Sequence, residues 1–164
     1  MMELIPKPIF LGLEVGAVAI PFLFHAIYGI YICLQAKNNP TNYGYLNNWN
    51  FAFQRWTAWF LIPFLIWHVG YLRFYLKGIQ GVHINYQLIQ SYITSNPIVF
   101  VLYLIGMLAA IFHFTNGITT FLMTWGVLKG PRAQKVSGLL SLLLCIGLSL
   151  VTIAFMVSYY IPMN

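Results

Sequence analysis

The sequence predicts an all-α integral membrane protein, a four-helix transmembrane bundle, on three observations. Of its 164 residues, 60% are hydrophobic and only 6% are charged, against roughly 25% charged in soluble domains. The apolar residues gather into four runs, each long enough to cross ~30 Å of hydrocarbon, which takes about 20 residues. Aromatic residues make up 18% of the chain, and many Trp and Tyr lie near the ends of those runs, where interfacial belts form. With a mean hydropathy of +0.79, residues 1–164 read as a single transmembrane helical domain.

The four spans cover 10–34, 52–76, 97–127 and 137–161. The opening MMELIPKPIF lacks a basic start, a short apolar stretch and a small-residue cleavage site, so it is not expected to be a signal peptide. Pro21 and Pro63 fall inside spans one and two, where neighbouring helices tolerate a kink. The first loop, KNNPTNYGYLNNWN, is polar and turn-rich, and the second contains LIQSYI, a candidate short surface helix. Pro97 suits the first turn of span three, whose length implies tilt or projection beyond the bilayer. Gly130-Pro131 marks a turn within the brief basic loop LKGPRAQK.

The formal charge of +6 does not indicate a nucleic-acid partner, because eight basic residues scattered over loops form no patch. Their bias instead sets orientation. Loops one and three carry Lys37, Arg55, Lys129, Arg132 and Lys135, whereas the other side carries Lys7, Arg73 and Lys77. Positive residues favour the cytoplasmic side, which places both termini outside. Cys33 and Cys145 read as packed thiols rather than a disulfide.

Three histidines interrupt these spans: His25 in HAIYG, His68 in WHVG and His113 in HFTNG. An ionisable residue inside a membrane is costly and marks a functional site by default. His25 and His113 are each followed four residues later by a glycine, Gly29 and Gly117, one turn away on the same helix face. A flat cofactor clamped between two helices fits that repeat, and haem fits it best. Spans one and three run in the same direction. His25 lies about ten residues before the inner end of its span and His113 about fourteen, or ~15 Å and ~21 Å at 1.5 Å per residue. The offset of about one turn is absorbable by tilt, giving bis-imidazole coordination of one iron. The plainer alternative is a histidine bonded to a backbone carbonyl and a glycine serving close helix packing.

His68 lies towards the outer end of span two with no histidine in span four to partner it. Its readings are a packed side chain, a quinone hydrogen-bond partner, or a ligand completed by another subunit. His83 reads as a solvated loop residue. Arg55, in QRWTA at the inner interface, suits either a haem propionate, for which its planar fork is adapted, or an ordinary interfacial anchor. Arg132 and Lys135 read as anchors or contacts to a soluble partner, and Glu14 as a snorkelling acid or a proton relay.

HAIYGIYI, AKNNPTNYGYLNNWNFAFQRWT, LIWHVG, IFHFTNG, TWG and PRAQK, in that order from about Phe24 to Ser158, resemble the cytochrome b membrane anchor of succinate dehydrogenase and fumarate reductase. The likeness is to its single-subunit, two-haem type. The resemblance implies haem b, quinone as substrate, and a flavoprotein with FAD and an iron–sulfur protein as partners on the cytoplasmic face, in a bacterial cytoplasmic membrane or a mitochondrial inner membrane. The chain would then be an electron-transfer subunit, with the dicarboxylate chemistry on its partners. It implies that residues matching His25 and His113 bind the haem nearer the iron–sulfur subunit, and that the residue matching His68 binds a distal haem with a histidine from an additional first helix. That helix has no counterpart here, so the chain matches family helices two to five. A second haem at His68 then needs another subunit. With one haem, quinone is expected near Arg55, Trp56 and Thr57; with two, near His68.

Two other classes remain open at the level of sequence. One is a haemless anchor of the same type of complex. The other is a small proton-conducting membrane protein, against which stands the lack of clear inverted repeats or broken helices.

Overall fold

The computed structural model describes residues 6–161; the first five residues of the opening segment and the last three of the chain lie outside them, as does the side chain of Lys7. The described residues are helical with no strand. Four stretches are long and apolar enough to cross a membrane, at Pro8–Gln35, Leu46–Ile79, Pro97–Thr124 and Pro131–Ser158. The chain divides into two compact units, Met1–Asn38 and Asn39–Asn164.

The first unit is one continuous helical span. It comprises α1 (Lys7–Leu13), a π-helical segment (Glu14–Ala19) and α2 (Ile20–Gln35). Residues from Glu14 to Gln35 include none that is buried. A helix apolar all round is what a lipid environment requires.

The second unit holds the remaining elements: α3 (Leu46–Val69) with its π-helical extension Gly70–Ile79, α4 (Tyr86–Thr94), α5 (Pro97–Thr124) and α6 (Pro131–Ser158). α5 is the central helix, packed against α3, α4 and α6. Contacts run Gln54 to His113, then His68 to Tyr103, so numbers climb on α3 as they fall on α5, and the pair is antiparallel. Thr119 with Ser137 and Phe100 with Tyr160 give the same relation between α5 and α6.

Local sequence explains the boundaries. Asn85 caps α4 by accepting from the Leu88 amide at 2.9 Å, and Asn96 caps α5 by accepting from Ile98 at 2.8 Å, each satisfying an amide that the helix leaves unbonded. Pro97 and Pro131 occupy the first helical turn, where a missing N–H costs nothing. Gly126 and Gly130 have φ of 70° and 86°, a conformation glycine adopts freely, and they turn the chain between α5 and α6.

Several expected boundaries move. α3 begins at Leu46 rather than 52, because the polar LNNWN segment is helical; Asn48 donates to Asn39 Oδ1 and to the Tyr43 carbonyl, both at 2.9 Å, and ties the loop to this first turn. α5 ends at Thr124, before the expected 127, and α6 takes in the basic residues from Pro131, ahead of the expected 137. The short helix expected at LIQSYI is α4. It is amphipathic, and its Ile93 is buried at 3% exposure with Tyr103, Met156 and Tyr159.

Candidate functional site

Polar groups inside the second unit concentrate at the end formed by the first half of α3, the second half of α5 and the start of α6. Thr115 is 1% exposed. Its hydroxyl donates back to the Ile111 carbonyl at 2.9 Å, while its own carbonyl accepts from Ser141 at 2.7 Å. Thr119 and Ser137 hydroxyls meet at 3.0 Å. These bonds tie α5 to α6 and satisfy groups that hydrocarbon cannot solvate.

On the other side of α5, His113 faces α3. Its Nδ1 lies 3.1 Å from the Gln54 backbone carbonyl and 3.3 Å from Thr57 Oγ1. The Thr57 hydroxyl donates to the Phe53 carbonyl at 2.8 Å. A carbonyl oxygen can only accept, so Nδ1 carries the ring proton and donates. Neutral imidazole has one donor and one acceptor nitrogen, which puts the lone pair on Nε2. A metal-ligating histidine takes this arrangement, its other N–H given to a carbonyl that fixes tautomer and ring orientation.

The Gln54 side chain adds two more bonds to the same segment of α5. Its Nε2 donates to the His113 carbonyl at 3.0 Å, and its Oε1 accepts from Asn116 Nδ2 at 2.8 Å. A Cβ at Gly117 would lie 3.4 Å from that Nε2, about van der Waals contact. Neither Gln54 nor Asn116 stands out in the sequence. Both are common polar residues inside long helices, and only the register of α3 on α5 brings Gln54 to His113 and Asn116.

Arg55 is 6% exposed, with its guanidinium carbon 3.3 Å from the Phe51 ring centroid. An interfacial anchor keeps its charge in water; this cation is covered and stacked on an aromatic face. Trp56 is exposed and forms edge contacts with Trp49 and Phe53.

His68 belongs to a different environment, the aromatic cluster at the opposite end of the unit. Its Nδ1 meets the Tyr103 hydroxyl at 3.1 Å, and its ring stacks on Phe64 with centroids 5.9 Å apart. Trp67, Tyr71 and Tyr92 complete the surround. Of phenol and imidazole N–H, the phenol is the stronger donor, which favours a proton on Nε2 of His68, the reverse of His113. For His68 to present a lone pair at Nε2, its ring would have to donate to the Tyr103 oxygen instead. Burial raises the phenol pKa of Tyr92 in α4, and the neighbouring Tyr71 adds to it.

In the first unit, His25 is exposed, and a Cβ at Gly29 would meet nothing within 4 Å. His25 stands ten residues before the end of α2 at Gln35, and His113 eleven before the end of α5 at Thr124. At 1.5 Å per residue these distances are ~15 Å and ~16 Å. His83 lies in the loop before α4. Cys33 and Cys145 are free thiols, and no cluster of three or more metal-ligating side chains occurs among the described residues.

Comparison with known proteins gives two matches. The family model described as succinate dehydrogenase/fumarate reductase transmembrane subunit matches residues 35–155, a stretch that includes Gln54, Arg55, His68 and His113 but begins after His25. A succinate dehydrogenase cytochrome b558 subunit of Bacillus subtilis (strain 168) is 37% identical over 140 residues, which span 85% of this chain and 68% of that protein. No solved structure matches.

Proposed function

The chain belongs to the succinate dehydrogenase/fumarate reductase transmembrane subunit family, and on that premise we propose that it is a haem b-binding membrane anchor passing electrons between an iron–sulfur subunit and membrane quinone. The observation that carries this reading is the Nδ1–H of His113 donated to the Gln54 carbonyl at 3.1 Å, because it leaves Nε2 in the state an axial ligand requires. His25 is the second proposed ligand. Its distance from its own helix end matches that of His113 within one residue, and the open space at Gly29 is what a flat ring beside the helix needs.

The residues present fit haem by this donor set: two imidazoles and a covered cation, Arg55, suited to a propionate. Haem b, when bound, supplies a one-electron site; axial ligands, burial and nearby charge set its potential. The protein's own part is to hold the His113 ring in one tautomer and to exclude water with the apolar faces of its spans. The partners proposed are a flavoprotein with FAD and an iron–sulfur protein, on the side of the loops bearing Lys37 and Arg132, in a bacterial cytoplasmic membrane. A second haem at His68 would need a further ligand from outside the described residues and the opposite tautomer of His68.

The test is purification of the tagged chain from its native membrane in mild detergent. The reading expects a complex with covalent or tightly bound flavin, iron–sulfur signals and a haem that succinate reduces. A chain isolated alone, colourless and without flavin, would overturn it.

A further inference from the structure

We propose that Gln54 is a positioning residue for the His113 imidazole, setting its orientation and its donor strength toward iron; this deepens the haem reading and rests on it. Three of the groups of Gln54 engage one turn of α5. Its backbone oxygen accepts from His113 Nδ1 at 3.1 Å, its side-chain nitrogen donates to the His113 carbonyl at 3.0 Å, and its side-chain oxygen accepts from Asn116 at 2.8 Å. The first bond acts on the ring itself. A carbonyl that accepts the ring N–H pulls the imidazole toward imidazolate character and raises its basicity as a ligand. A more basic ligand stabilises the ferric over the ferrous state, so this bond lowers the reduction potential.

The two side-chain bonds keep that carbonyl in place. The oxygen of Gln54 is fixed to α3 and the ring to α5, so the length of the Nδ1–H···O bond depends on how the two helices register. The side-chain amide bonds both the backbone and a side chain of α5 within one turn of His113. Hydrogen bonds weaken steeply with distance and angle, so a small slide of α3 along α5 is enough to change the ligand. Gln54 thus acts on the iron through His113 without touching it.

The test measures haem content, midpoint potential and the low-temperature electron paramagnetic resonance g-values of the native complex, in wild type and in Gln54→Met and Gln54→Glu. Methionine keeps the length and removes both amide bonds. Glutamate, as the neutral acid, restores one donor and one acceptor. The proposal expects Gln54→Met to retain haem with a more positive potential and altered g-values, and Gln54→Glu to lie nearer wild type in both. If Gln54→Met fails to assemble, the Gln54→Glu complex alone carries the test: wild-type g-values support the proposal, and values shifted with full haem occupancy count against it. Unchanged potential and g-values in Gln54→Met, with haem present, would overturn the positioning role and leave the haem reading intact. A wild-type complex without haem would overturn both.

Discussion

The Gln54 backbone carbonyl lies 3.1 Å from Nδ1 of His113, and because a carbonyl only accepts, that contact favours the ring proton on Nδ1. His68 is also hydrogen-bonded through Nδ1, but its partner is the Tyr103 hydroxyl at 3.1 Å, which can donate as well as accept. Two histidines of the same unit thereby differ in which ring nitrogen their surroundings favour for the proton. His113 faces a carbonyl that can only accept, whereas His68 sits in an aromatic cluster opposite a phenol.

On the proposed reading the His68–Tyr103 bond serves packing, and removing it should have a modest structural cost. Tyr103→Phe is expected to lower stability in detergent by about 0.6 kcal/mol and by no more than ~1.7 kcal/mol, the range measured for hydrogen bonds between membrane helices. It should leave haem content unchanged. Thermal unfolding with haem quantification checks this; loss of haem from the variant would show that His68 is a ligand oriented by Tyr103.

Gly106 of α5 faces the Phe64 ring of α3 at the aromatic end. A Cβ there would collide with the Phe64 ring, and that ring in turn stacks with Phe60 and His68. Gly106→Ala is expected to destabilise by about 1–3 kcal/mol, the usual cost of overpacking, despite alanine's better helix propensity. Gly106→Ala combined with Phe64→Leu should recover part of the loss. An unaltered melting temperature in the single variant would contradict the packing.

Arg55 is covered and stacked on Phe51. Phe51→Leu is expected to cost about 2 kcal/mol, the value for a desolvated cation–aromatic pair, and Arg55→Lys to be poorly tolerated because a compact ammonium lacks the planar face. Thermal unfolding of both variants tests this. Were Arg55 only an interfacial anchor, lysine would serve equally and Phe51→Leu would have little effect.

Much of this arrangement is legible in the sequence, and the exceptions share a cause. The spans are visible because hydrocarbon imposes length and apolarity on every residue that meets it. α4 is visible from its own pattern, since LIQSYI must cover one side of itself. His25, His68 and His113 stand out because an ionisable group is rare in such surroundings. The start of α3 is not visible, because LNNWN is polar enough to read as loop while its asparagines bond the preceding turn. Gln54 and Asn116 are not visible either. Their importance lies in the register between two helices more than 50 residues apart in sequence, with separations of 59 and 62 residues for their bonds, and composition carries no trace of register. The difference between His113 and His68 is hidden for the same reason: it depends on whether a carbonyl or a phenol stands opposite one nitrogen.

The central claim, that His25 and His113 hold one haem, is tested most directly by counting haem per copy of the chain in the purified native complex. The count is made with the dithionite-reduced absorption spectrum, in wild type and in His25→Ala, His113→Ala and His68→Ala. The account predicts one haem in wild type, lost in either of the first two variants and kept in the third. A wild-type complex with no haem, or one whose haem survives His113→Ala, would contradict it.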